Sequence, residues 1–230
     1  HWVKRKYNVD AELIYLDGVD FDLFNKDLVS PREIYYKYPS LENSRMILCV
    51  VGYLERHKNI ETLIKAFSLV RKSIQNAKLV IVGRMLRNSG YYRQLIKLVK
   101  DKELQEHIIF TGLVTWQDLP KYYAACDVFA TCSLWEGFLR AEAFAMEKPM
   151  VVFDVTSNRE TIKDGETGLL VKELIPEAFA WALITLLRDE KLRARMGKKG
   201  YCWVKANLDF DVIARNFTKF IERSLRDERQ

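Results

Sequence analysis

Short, uninterrupted apolar runs alternate along this chain with longer segments whose apolar residues recur every three or four positions. Residues 46–51 (MILCVV) end at Gly52 and carry no polar residue at alternate positions, the pattern of a parallel strand buried on both faces. Behind them Leu63, Ile64, Phe67, Val70 and Ile74 line one face of a helix over 60–74. The same reading predicts strands at 79–82, 107–110, 128–131, 150–153 and 168–171. It places helices at 91–100, 117–125 and 141–147, a short turn at 160–162, and helix after Pro176. Strands alternating with helices over short connections predict βαβ units: an α/β fold, a Rossmann-like parallel sheet with helices on both faces.

The ends depart from this rhythm. Residues 1–45 hold one strand candidate at 13–16 and a polar, Tyr-rich stretch, and are read as an interdomain linker with edge elements. Residues 46–207 form the predicted ligand-binding domain. Residues 208–230 carry an amphipathic helix with Val212, Ile213, Phe217, Phe220, Ile221 and Leu225, expected to pack on the body or on a domain outside this sequence.

Composition changes the picture little. Of 230 residues 49% are hydrophobic, which excludes a disordered chain. No apolar run approaches the roughly 18 residues that span a bilayer, and no apolar segment behind the first residues marks a signal peptide. The net charge of +6 is dispersed and mixed with acids, so no nucleic-acid partner is expected. A solvated basic surface, a phosphate-binding cleft and an anionic membrane face all remain readings of it. Cys49, Cys126, Cys132 and Cys202 form no CxxC pair and read as small buried residues of a reducing, cytoplasmic compartment. With three His in the whole chain and none at ligand spacing from a Cys, no metal is expected.

An open parallel sheet binds ligands beyond the C-terminal ends of its strands. After the first strand, Gly52 permits close backbone approach, and Arg56 and Lys58 stand at a helix entrance suited to phosphate. Basic loop residues are also commonly just solvated, and His57 reads as a surface residue. The loop at 83–90 (GRMLRNSG) lacks the three spaced glycines of a dinucleotide fingerprint, which disfavours an NAD(P) oxidoreductase. After the fourth strand, Glu136 and Glu142 flank a Gly-Phe turn, where acids accept hydrogen bonds from hydroxyls or merely suit a helix start.

Four stretches in series resemble the donor domain of family-4 retaining glycosyltransferases, which are built from two Rossmann-like domains. They are 14–24 (IYLDGVDFDLF), 52–67, 127–149 (DVFATCSLWEGFLRAEAFAMEKP) and 154–171 (DVTSNRETIKDGETGLLV). The resemblance covers nearly the whole chain and implies transfer of a hexose, mannose or glucose among the candidates, from a nucleotide diphosphate sugar with retained anomeric configuration. It implies that Lys58 contacts the diphosphate. Glu136 lies near the donor sugar, the backbone of Gly137 and Phe138 faces sugar and phosphates, and Glu142 accepts from the ribose hydroxyls. Gly112, Leu113 and Val114 fall where the family backbone contacts the base. It further implies no cofactor, and a sugar or lipid-linked acceptor held by an N-terminal domain missing from this sequence. The cytoplasm, with peripheral contact to the membrane face, is the expected place of action. The alternative is a non-catalytic nucleotide-sugar-binding subunit or regulatory domain that needs a partner chain.

The departures are specific. The family arginine that follows the first-strand glycine is Tyr53 here, with Arg56 the candidate to replace its charge, the linker Asn is Asp17, and a family Gly is Glu147. The family also separates its glutamates by two residues more than the five between Glu136 and Glu142. Two residues fewer turn a helix by about 200° and aim Glu142 away from the ligand. The preferred reading is that the molecule carries two residues here that the sequence lacks. A truly shortened turn removes Glu142 as the ribose ligand.

Overall fold

The computed structural model describes residues 17–86, 89–135, 141–155 and 158–227. The strand candidate at 13–16 lies outside them. Six parallel strands form one sheet: β1 (Arg45–Tyr53), β2 (Ala77–Arg84), β3 (Ile108–Gly112), β4 (Val128–Thr131), β5 (Met150–Phe153) and β6 (Gly168–Val171). Their order is β3-β2-β1-β4-β5-β6, so the direction of winding reverses between β1 and β4. The expected Rossmann-like α/β sheet is what the chain forms.

The apolar run of β1 explains itself once both faces are covered. Ile47, Cys49 and Val51 enter one core with α2 (Ile60–Ser73), α3 (Gly90–Asp101) and α7 (Pro176–Arg188). Met46, Leu48 and Val50 enter the other, with α4 (Leu119–Ala125), α5 (Glu142–Ala145) and the end of α8 (Glu190–Asn207). Successive strand residues point to opposite faces, so only a strand apolar at every position suits a sheet packed on both sides. Leu63 and Phe67 of α2 are fully buried. Each contributes on the order of 1.5–3 kcal/mol relative to exposure.

Sequence patterning did not identify α1 (Arg32–Lys37), because only Ile34 of its six residues is buried. Residues 17–45 nevertheless supply Phe24, Ile34 and Leu41 to the second core. The C-terminal helix α9 (Phe210–Asp227) packs by its first turn, where Phe210 covers Gly18 and Ile213 is buried. Phe217, Ile221 and Leu225, further along, are exposed. Cys202 corrects an expectation: it is exposed on α8, while Cys49, Cys126 and Cys132 are buried.

Two glycines on α8 set the position of the segment behind β4. A Cβ on Gly197 would stand 1.9 Å from the Glu147 carbonyl oxygen, and one on Gly200 2.3 Å from the Phe144 ring. Helix-interior glycine costs about 1 kcal/mol against alanine, and here it permits the backbone approach that holds α5 against α8. Residues 158–161 form the short α6 (Asn158–Thr161), with Asn158 Nδ2 donating to the Phe153 carbonyl at 2.8 Å.

Candidate functional site

The reversal between β1 and β4 leaves a crevice at the C-terminal ends of these strands, where neither neighbouring connection crosses. Its β1 side is built by Gly52–Asn59. The register of β1 against β2 shifts between Val50 and Tyr53, and that of β2 against β3 between Ile81 and Val82. Both irregularities fall at the ligand end, where pairing stops and the backbone is re-aimed. A Cβ on Gly52 would meet nothing within 4 Å, so protein packing does not require glycine there. Its bare backbone faces open space.

Beyond β1, Arg56–Lys58 form one 3-10 turn, and Asn59 adopts φ 50°, ψ 43° before α2 begins. An Asn tolerates the left-handed region better than most residues, and its side-chain oxygen accepts from Thr62 Oγ1 at 2.7 Å. The helix-start amides offered to a phosphate by the sequence are partly used already. Ile60 N–H donates to Tyr91 Oη at 3.1 Å, and Thr62 N–H to the Asn59 carbonyl at 3.1 Å. Tyr91 in turn donates to Glu61, and burial beside that carboxylate pushes the phenol well up. The acid already at the start of α2 suits its dipole and disfavours a second anion there.

Lys58 is half-buried on the 3-10 turn. Arg56 leans toward α3 instead, donating to Gln94 Oε1 at 3.2 Å and lying 5.5 Å from the Tyr91 ring centroid. The sequence expected Arg56 to replace the cation lost at Tyr53, but in this position it is drawn to α3. Tyr53 is exposed at the end of β1, opposite Arg84.

The β4 side is attached to the β1 side by a contact that patterning did not reveal. Leu134 N–H donates to the His57 carbonyl at 2.9 Å. The fully buried Ser133 hydroxyl donates to the Trp135 carbonyl at 2.7 Å and lies 3.3 Å from the His57 carbonyl. The His57 ring meets Trp135 edge-on at 6.3 Å. His57 thus acts through its backbone, and no side-chain chemistry in the sequence could signal that. Glu136, Gly137 and Phe138 lie outside the described residues, as does the turn over 136–140 whose length bears on the glutamate spacing. Glu142 is the first residue of α5 and half-buried. That helix has only four residues, so it brings little dipole to the crevice.

At the end of β3, Gly112 adopts φ 79°, which a side chain disfavours, and lies near Met85 of the β2 loop. Leu113 is exposed, and with Val114 it lines a cavity of about 250 Å³ shared with Glu33, Lys37, Asp118 and Lys121. The Lys121 ammonium donates to Glu33 and Asp118 there. The structure therefore brings Gly52, Arg56, Lys58, Gly112, Leu113, Val114 and Glu142 to one edge of the sheet. Among the described residues, no group of three His, Cys, Asp or Glu side chains is placed to hold a metal ion.

Fold and site together define a doubly wound α/β domain with a ligand crevice at the reversal of its strand order. The chain belongs to the group 1 glycosyl transferases, whose family profile matches residues 33–203. It is 31% identical over 221 residues to the GDP-mannose-dependent alpha-(1-6)-phosphatidylinositol monomannoside mannosyltransferase of Mycobacterium tuberculosis, covering 92% of this chain and 56% of that protein. It is 32% identical over 218 residues to the N-acetylgalactosamine-N,N'-diacetylbacillosaminyl-diphospho-undecaprenol 4-alpha-N-acetylgalactosaminyltransferase of Campylobacter jejuni, covering 87% and 56%. The chain thus spans about half the length of the curated relatives it matches. Among solved structures, the C-terminal domain of a glycosyl transferase group 1 protein from Francisella tularensis superposes with TM-score 0.74 at 25% identity, over 84% of this chain and all of that one. A glycosyltransferase from Rickettsia africae shares the fold with TM-score 0.86 at 21% identity, over 97% of this chain and 60% of that one.

Proposed function

We propose that this chain is the donor-binding half of a retaining hexosyltransferase, and that it holds a nucleotide diphosphate sugar in the crevice between β1 and β4. The observation that carries the reading is the junction at this crevice. There the bare backbone of Gly52 and the Lys58 turn stand beside a β4 loop bonded to the His57 carbonyl. In the reaction the bond between the sugar's anomeric carbon and the diphosphate oxygen breaks, the acceptor hydroxyl oxygen bonds to that carbon, and its proton passes to the leaving diphosphate. Negative charge grows on the leaving diphosphate, and a cation fixed in a partly desolvated crevice lowers the energy of that state more than of the bound substrate. Lys58 takes this role, with Glu136 beside the sugar; Glu142 serves the ribose only on the reading that the turn after Phe138 carries two further residues in the molecule. The amides of Gly137 and Phe138 serve the phosphates, and the backbone at Gly112, Leu113 and Val114 serves the base. No metal is assigned, because side-chain cations meet the diphosphate charge.

The names of the Mycobacterium and Campylobacter relatives support a transferase over a non-catalytic binding subunit, and make GDP-mannose the first donor to test. Both names also carry a lipid-linked acceptor. That supports an acceptor held by a preceding domain at the cytoplasmic membrane face, by peripheral contact. No described helix is long and apolar enough to cross a membrane.

Thermal unfolding of the chain with GDP-, UDP- and ADP-sugars tests the proposal. A ligand at a hundred times its Kd adds about 2.7 kcal/mol of stability by mass action, and one donor series is expected to show this. The proposal fails if millimolar nucleotide sugars leave the melting temperature unchanged, or if NAD alone raises it.

A further inference from the structure

The strands β1 and β2 end alike, in Val51-Gly52-Tyr53 and Val82-Gly83-Arg84, and these ends are paired in the sheet, Tyr53 opposite Arg84. Paired strands lie about 4.8 Å apart, so an arginine on β2 is placed one strand spacing from the end of β1. Gly83 is required by packing, since a Cβ there would stand 2.5 Å from the Val51 carbonyl oxygen. Leu54 N–H donates to the Arg84 carbonyl at 3.2 Å, which fixes the backbone that carries the guanidinium.

The Arg84 side chain is exposed at this edge. Its Cζ lies 5.7 Å from the Tyr53 ring centroid, and its Nη1 donates to Tyr53 Oη at 3.5 Å. An aromatic ring holds the plane of a guanidinium without neutralising it. Several other cations are neutralised, Arg159 by Asp154, Lys121 by Glu33 and Lys205 by Asp209, whereas Arg56 is turned away to the neutral Gln94 on α3. Among the described residues Arg84 meets no carboxylate. A positioned, unneutralised fork of donors beside an open glycine backbone is what a diphosphate requires.

We propose that Arg84 is the second cation for the donor diphosphate and that Tyr53 is its positioning residue. The inference rests on the reading of the crevice as a nucleotide-sugar site. The charge needed at the end of β1 is supplied from the neighbouring strand, by a guanidinium held beside the ring and hydroxyl of Tyr53. Arg56, the rival, is directed to Gln94 and Tyr91 on α3.

The test is calorimetric titration of the whole chain with GDP and GMP, and with UDP and UMP, because only the diphosphates carry the second phosphate. Arg84→Ala is expected to weaken diphosphate binding by about 10- to 100-fold, the range for hydrogen bonds to a charged group, while monophosphate binding changes little. Adding Tyr53→Arg to that variant restores the diphosphate preference. Arg56→Ala is expected to leave the preference standing. Arg84 is overturned if Arg84→Ala binds the diphosphates like the unmodified chain while Lys58→Ala does not. It is equally overturned if both phosphate classes weaken together, which marks structural damage. If the unmodified chain binds none of the four nucleotides, the nucleotide-sugar reading falls with it.

Discussion

The two ends of the one sheet are built on opposite terms. At the N-terminal end, Asp127 opens β4 and accepts Met46 N–H at 2.8 Å and Arg45 Nη1 at 3.1 Å, with Arg193 Nη2 at 3.4 Å. Arg193 is buried and donates further to the carbonyls of Leu186 and Leu187 at 2.7 and 2.8 Å. This junction ties β1, β4, α7 and α8 together. At the C-terminal end the strand registers shift, Gly52 faces open space, and Tyr53 and Arg84 stay in solvent. The difference teaches where a doubly wound domain keeps its stability and where it keeps its binding capacity. Saturated polar groups hold the strands from one end, so the other can leave backbone and cations exposed for a ligand.

Asp127→Ala is the harshest test of this division. It leaves the buried Arg193 guanidinium without its carboxylate, and breaking a buried pair typically costs about 3–5 kcal/mol. A loss of about 3 kcal/mol in urea unfolding is expected, with nucleotide affinity unchanged where the variant is still folded. Lys58→Ala should do the reverse. It should lose about 1.5–3 kcal/mol of nucleotide-sugar affinity and keep its unfolding midpoint, whereas His57→Ala retains the carbonyl that matters and changes binding little. If Lys58→Ala lowers stability as much as affinity, the two ends are not separable.

Ser133→Ala lies between these extremes, because its hydroxyl joins the β4 loop to the β1 loop inside the otherwise open end. A buried neutral hydrogen bond contributes about 1 kcal/mol. Stability and nucleotide affinity are both expected to fall by about that amount, measured in parallel by unfolding and calorimetry. A change in stability alone would make Ser133 another N-terminal-type anchor rather than part of the crevice.

The ends also differ in how far the sequence exposed them. The core runs spoke plainly: the strands at 128–131, 150–153 and 168–171 match β4, β5 and β6 to the residue, because short apolar runs bounded by Asp127, by Pro149 and Asp154, and by Gly168 and Lys172 have few alternatives. The helix at 60–74 ends one residue early, at Ser73. Where short-range pattern was weak the reading faltered. The six-residue α1 went unseen, and the segment at 141–147 shortened to α5 because only one turn is held between β4 and β5. At the site, Gly52, Lys58 and Gly112 were legible as residue types in strand-end loops. The docking of His57 to Ser133 and the pairing of Tyr53 with Arg84 were not. Both depend on which strands become neighbours, and strand order is not written in any local window.

The smallest expected effect compares two buried thiols, one at each end. Cys126 precedes β4 at the saturated end and Cys132 follows it at the crevice. Burial pushes the Cys126 thiol up to about 12 and the Cys132 thiol well above its ordinary value. Between roughly pH 8.5, where a free thiol ionises, and these raised values, the unfolded chain binds fewer protons than the native one. Stability therefore falls with rising pH, by at most about 1.4 kcal/mol per pH unit for each thiol. The two contributions need not be equal in practice. A thiol at the end of the sheet that leaves backbone open to solvent can ionise through local opening, which caps its penalty at the cost of that opening, whereas one beside the Asp127 junction must wait for global unfolding. Urea unfolding at pH 7.5, 9.5 and 10.5 separates them, since other alkaline groups are common to all variants. Cys126→Ala is expected to flatten the alkaline decline more than Cys132→Ala. The opposite order would mean that the crevice end resists opening at least as well as the end that anchors it.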